Sequence, residues 1–222
     1  MGDGGLILDA ASWIVPLVVA IVLHEISHGW VAALFGDTTA RSKGRLSLNP
    51  LRHVDPVGTV GLPLVLALAG APIFGWAKPV PVVARRMRHP RRDMMLVALA
   101  GPGMNLLLAV VGALSIAAIG LPQAGDGLAS LFLRLALIKF VAINIFLAVF
   151  NMLPLPPFDG GHVVEGLLPR RLAVHYAKLH RVALPLFIGL LLILPAISPK
   201  ADIVDRLVRP PVDWLTGTLL GG

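Results

Sequence analysis

Cysteine is absent from this 222-residue sequence. That excludes a disulfide framework and a thiolate metal site, so any metal must be held by histidine and carboxylate. The candidates are then seven histidines and twelve acidic residues. Charge is also scarce. Only 14% of residues are charged against 56% hydrophobic, and the mean hydropathy of +0.83 excludes an ordinary soluble domain. The first eleven residues carry Asp3 and Asp9 but no Lys or Arg, so the positive n-region of a signal peptide is missing and the first apolar run is expected to be retained. Internal repeats, low-complexity tracts and a separate soluble domain are missing as well. The expectation is one membrane-embedded domain over residues 1–222, with a core at 12–199 and a C-terminal tail at 200–222.

What is present is a set of long apolar runs. Residues 12–35, 94–120 and 131–153 are each long enough to cross a hydrocarbon core of about 30 Å as a helix. Residues 182–197 form a shorter fourth run, interrupted by Pro185 and Pro195, which is expected to kink or to lean on flanking residues. The run 58–74 contains Pro63 and Pro72 and lies between two basic loops, one with Arg41, Lys43, Arg45 and Arg52, the other with Lys78, Arg85, Arg86, Arg88, Arg91 and Arg92. A re-entrant segment meets the positive-inside rule better here than a single crossing. The fold class expected is therefore an all-α polytopic membrane protein of about four transmembrane helices, plus a re-entrant or short fifth segment with a strand-like edge.

The net charge of +7 does not imply nucleic acid as a partner, because the basic residues sit in short clusters between apolar runs. They read as topology signals and contacts to anionic lipid. On that reading the N-terminus lies outside and the first span runs inward. The loop near 125–127, without Lys or Arg, lies outside, and the loop with Arg170, Arg171, Lys178 and Arg181 is cytosolic.

The first span carries His24, Glu25 and His28. On a helix the two imidazoles lie about 40° apart around the axis and about 6 Å along it, so both can grip one ion. Two imidazoles need a third protein ligand, and the intervening carboxylate can serve as general base toward water. Ionisable groups inside a span are costly and by default functional. A third ligand is offered by Asp159, which follows a proline-rich exit from the third long span, NMLPLPPFDGG at 151–161. The prolines end the helix and hold irregular backbone that is tolerated only against protein or a wet cavity. On this segment alone, Asp159 is equally well a cap or turn residue.

Together with GRLSLNPL at 44–51, HVDPVGT at 53–59, GWAKPVPV at 75–82 and AGPGMN at 100–105, these motifs resemble the site-2 protease family of intramembrane zinc metalloproteases. The resemblance runs from about His24 to about His162. It implies one zinc ion held by His24, His28 and Asp159, water activated by Glu25, and Asn151 holding the substrate strand or the developing oxyanion. It is strongest to compact members, so PDZ and CBS domains are not expected. Transmembrane protein substrates and a prokaryotic cell-membrane location are expected from the same resemblance, and the topology read from the basic loops puts the catalytic site toward the cytosolic side; substrate identity and oligomeric state do not follow. Two other classes remain open at this stage, a metal-binding membrane transporter and a catalytically silent scaffold.

Of the other polar residues, Asn105 and Asn144 read as interhelical hydrogen-bonding groups. His162 reads as a loop residue or a partner of the metal ligands, and His53, His89, His175 and His180 as solvated or interfacial. Arg134 and Lys139 enter the third span from its outer end, where long side chains snorkel.

Overall fold

The computed structural model describes residues 3–68, 75–189, 194 and 202–221. Helix α1 spans Asp3–Leu34, the short α2 Thr39–Ser42 and α3 Leu62–Leu68. They are followed by α4 over Pro90–Ile119, α5 over Leu128–Asn151, α6 over Asp159–Leu167, α7 over Arg170–Tyr176, α8 over Ala183–Ile188 and α9 over Arg209–Leu220. Three of these helices are long and apolar enough to cross a membrane, α1 from Ile7, α4 and α5. They pack against one another in every pairing. Their outward faces carry Ile14, Val15, Leu107, Val111, Leu114 and Leu133, all exposed, as lipid-facing residues should be. The chain is an all-α polytopic membrane protein.

The helices begin earlier than the apolar runs that announced them. Helix α1 starts at Asp3 rather than residue 12, and α4 starts with Pro90 at its first position rather than at 94. Proline is favoured there because its missing N–H belongs to the unpaired first turn and its φ is already helical. The helices therefore continue past the apolar window into polar sequence.

The 58–74 segment begins as two short helical pieces, Pro56–Gly61 and α3, while 69–74 lie outside the described residues. Asp55 starts it by accepting from the N–H groups of Val57 and Gly58. Its two ends are tied together, since Trp76 N donates to Gly58 O at 3.1 Å and Thr59 Oγ1 donates to Trp76 O at 2.9 Å. The chain thus returns to the level from which it left. The following stretch, 77–83, expected to be strand-like from the alternating Lys78-Pro79-Val80-Pro81 pattern, carries neither helix nor strand ladder among the described residues, although Val83 at its end is extended. One main-chain bond, from Lys78 N to His53 O at 2.8 Å, and several side chains hold it. Val80 N donates to Glu25 Oε2 at 2.8 Å, Val83 N to Asp37 Oδ2 at 2.5 Å, and Arg45 Nη2 donates to Lys78 O at 2.7 Å.

The shorter run 182–197 begins with α8, while 190–193 and 195–197 lie outside the described residues. The segment expected as a C-terminal tail packs on the bundle. Ile203, Val204 and fully buried Val208 join Leu153 and Phe158, and Val212, Leu215, Leu219 and Leu220 lie against Ala109, Ala113, Ile116, Val141 and Ile145 of α4 and α5.

Candidate metal centre

Helix α1 brings His24 and His28 to one buried face, at 7% and 8% exposure. Their Nε2 atoms are 3.1 Å apart. Asp159, the first residue of α6, returns from the end of α5 so that its Oδ2 lies 3.2 Å from His24 Nε2 and 3.4 Å from His28 Nε2. The three atoms make a nearly equilateral triangle. Ligands about 2.0–2.1 Å from a tetrahedral ion are about 3.4 Å from each other, so the triangle has the size of one face of a zinc coordination shell.

Hydrogen bonding at the far side of each ring fixes which nitrogen faces the centre. His28 Nδ1 lies 2.7 Å from Val97 O; a carbonyl only accepts, so Nδ1 carries the proton and Nε2 presents its lone pair. His24 Nδ1 lies 2.5 Å from Asn105 Oδ1, and the Asn105 amide is oriented by donating from Nδ2 to Asn144 Oδ1 at 2.8 Å. Asn144 Nδ2 in turn donates to Phe140 O. Both asparagines are fully buried. The relay spans α5, α4 and α1 and ends on a ligand ring, which is how outer partners set the tautomer of a metal-bound histidine.

Asp159 Oδ2 is buried without a conventional hydrogen-bond partner. A carboxylate oxygen and two lone pairs converging on one point fit a cation, and the donor set of two imidazoles and one carboxylate suits zinc. Space is reserved for it as well. A Cβ added at Gly101 of α4 would lie 2.4 Å from His28 Nε2 and 2.6 Å from His24 Nε2.

The exit from α5 explains Asp159's position. Leu153 N and Met152 N close the end of the helix, and Tyr176 Oη donates to Pro154 O at 2.8 Å. A Cβ at Gly160 would meet Leu153 O and Met152 O at 2.4 Å, so only glycine lets α6 begin against the end of α5. Arg91 clamps the other end of α6 through Glu165 O.

Of the residues singled out in the sequence, His24, His28 and Asp159 come together. Glu25 is half-buried on the same helical turn, with Oε2 engaged by Val80 N. Asn151, the last residue of α5, donates from Nδ2 to Leu147 O of its own helix at 2.9 Å. Asn105 and Asn144 do form interhelical bonds, and sequence reasoning missed only that these end on His24; Gly101 was visible solely as part of AGPGMN. Of the histidines read as solvated or interfacial, His53 is buried and His180 is only partly exposed. His53 is 3% exposed and donates from Nε2 to Ser47 O at 2.8 Å. His180 lies beside His162 and Glu165. The basic loops that suggested solvent fold back onto the bundle.

The profile of peptidase family M50 matches residues 112–194, a span that includes Asp159 but not the two histidines of α1. The chain is 40% identical over 162 residues to "Putative zinc metalloprotease YwhC" of Bacillus subtilis, covering 70% of this chain and 68% of that one. It is 34% identical over 165 residues to "Putative zinc metalloprotease Rip2" of Mycolicibacterium smegmatis and 36% identical over 164 residues to the protein of that name in Mycobacterium tuberculosis, each alignment covering 73% of this chain and 58% of the relative. No solved structure matches. Joined to a histidine pair and a carboxylate spaced for one ion, this similarity across two thirds of a relative's length establishes that the chain belongs to peptidase family M50, the site-2 protease family.

Proposed function

We propose that the protein is an intramembrane zinc endopeptidase that hydrolyses peptide bonds in or near the transmembrane segments of other membrane proteins. The observation that carries this reading is the convergence of His24 Nε2, His28 Nε2 and Asp159 Oδ2 within 3.1–3.4 Å of one another, next to a carboxylate, Glu25, that a structural ion does not require. When bound there, one zinc ion supplies Lewis acidity that polarises a peptide carbonyl and acidifies water.

Glu25 is assigned the proton transfers, taking a proton from the attacking water and returning it to the leaving nitrogen. Since Oε2 accepts from Val80 N, the transfer belongs to Oε1 or follows release of that bond. Asn151 is assigned to the substrate strand or the developing oxyanion, donating the second Nδ2 hydrogen while the first stays on Leu147 O. A helical peptide bond is already hydrogen-bonded and shielded, so the substrate must unwind. The 77–83 stretch offers an edge for it, with prolines that suit an edge position. Crosslinks from bound substrate are expected on this stretch, and crosslinks confined to the far side of the bundle would remove it from the mechanism.

Orientation follows from charge. The loops at 41–52, 78–92 and 170–181, at the end of the bundle where α1 and α5 finish and α4 begins, hold most of the Lys and Arg, which supports a cytosolic end near the metal centre and an external N-terminus in a prokaryotic cell membrane. The decisive comparison is cleavage of a transmembrane substrate containing a helix breaker by wild type and Glu25→Gln. Loss of cleavage with zinc retained is expected; equal cleavage would exclude Glu25 as the base.

A further inference from the structure

We propose that His162, Glu165 and His180 form a second divalent-metal site, one that braces α6 and takes no part in hydrolysis. One ligand-competent atom from each of the three residues lies within 4.8 Å of the other two. His162 and Glu165, three residues apart, project from one face of α6, and His180 approaches from the 3₁₀ stretch Ala177–Val182. Two elements separate in sequence thus supply one cluster.

The spacing is that of ligands around an ion. Glu165 Oε2 is 3.3 Å from His180 Nε2 and 3.7 Å from His162 Nδ1. The second distance is too long for a hydrogen bond, and His180 Nε2 is a buried atom with no hydrogen-bond partner. Ligands of a tetrahedral zinc ion sit about 3.4 Å apart. The rings of His162 and His180 stack at 4.7 Å with 23° between their planes. Burial, then the charge of His180, lowers the His162 pKa, which favours a nitrogen lone pair there.

The nearby guanidinium does not compete for the carboxylate, because Arg91 binds the main-chain oxygen of Glu165 instead. All three side chains are about one-third exposed, open enough for an ion to enter from solution. Imidazole donors favour zinc and its transition-metal neighbours over calcium or magnesium. The geometry gives this ion a mechanical task, tying the helix that begins with Asp159 to the segment that follows α7.

This inference does not depend on the peptidase reading, and metal counting tests it without an activity assay. The full chain, purified in detergent on a tag without histidine, is dialysed against buffered micromolar zinc and its metal measured by mass spectrometry. Two zinc ions per chain are expected in wild type, and one each in His180→Asn and Glu165→Gln. The double variant His24→Ala, His28→Ala is expected to keep one, which adding His180→Asn removes. A zinc count unchanged from wild type in both His180→Asn and Glu165→Gln would overturn the site. Circular dichroism and gel filtration identify any variant that misfolds, and Glu165→Gln, which preserves side-chain shape, then carries the comparison.

Discussion

Asn105 contacts no reacting group, yet the tautomer of His24 depends on it. Replacing it with Leu leaves His24 Nδ1 without its acceptor and Asn144 Oδ1 without its donor. Losses of this kind lower metal affinity by about 10–100-fold. Competition with a fluorescent chelator is expected to show that drop in Asn105→Leu, with cleavage falling in parallel at limiting zinc. Gly101→Ala makes a sharper case. Alanine is the better helix former by about 1 kcal/mol, so α4 should not unravel, but the new Cβ would stand 2.4 Å from a ligand nitrogen. Zinc stoichiometry at the primary centre is expected to collapse while helical circular dichroism stays unchanged. The histidine pair was legible in the sequence because i,i+4 spacing on a helix fixes geometry locally. The roles of Asn105 and Gly101 were not, because a contact across 81 residues depends on how α1 and α4 pack. Asp159 stood between, suggested by its proline and glycine context and decided by where α6 begins.

Among the elements, the stretch 77–83 depends most on single side chains, having no ladder partner among the described residues. Buried Asp37 is its main anchor, accepting from Thr39 N and Val83 N. Burial works against the ionised form of Asp37, but Thr39, Val83 and Arg86 outweigh it and lower its pKa. A lowered pKa means that the anchor is fully in force above the ordinary aspartate value of about 3.9 and is lost as pH falls through the lower folded value. At neutral pH, Asp37→Ala leaves buried donors unpaired at a cost of about 1–3 kcal/mol each. Amide exchange is expected to accelerate at Val83 and along 77–83 in this variant, with α4 and α5 unaffected. The alternating prolines made it legible that this stretch is not a helix. Its restraint by Glu25, Asp37 and Arg45 was not, because those residues are distant in sequence.

For the whole molecule, the half of the bundle away from the metal is held by a different polar clasp. Lys139 of α5 does not simply snorkel: Nζ lies 2.5 Å from Asp9 Oδ1 and 2.6 Å from Ser12 Oγ of α1, over the ring of Trp13. Within a bilayer an unpaired charge costs more than a missing pair. Asp9→Ala is therefore expected to lower the unfolding midpoint in nanodiscs more than Asp9→Ala combined with Lys139→Met, and a simple sum of the two single effects would show that the residues act independently. The three long spans were legible from apolar length alone. The docking of α9 was not, because Asp205, Arg206, Arg209 and Asp213 mask its apolar face in composition.

The asparagine relay has one more implication. Since it threads all three long helices and terminates on the imidazole proposed as a ligand, the grip on a bound ion would work as a strain gauge for the bundle. A lipid of different thickness, or a substrate that wedges α4 from α1, would register first as a change in how tightly the ion is held, before any helix unfolds.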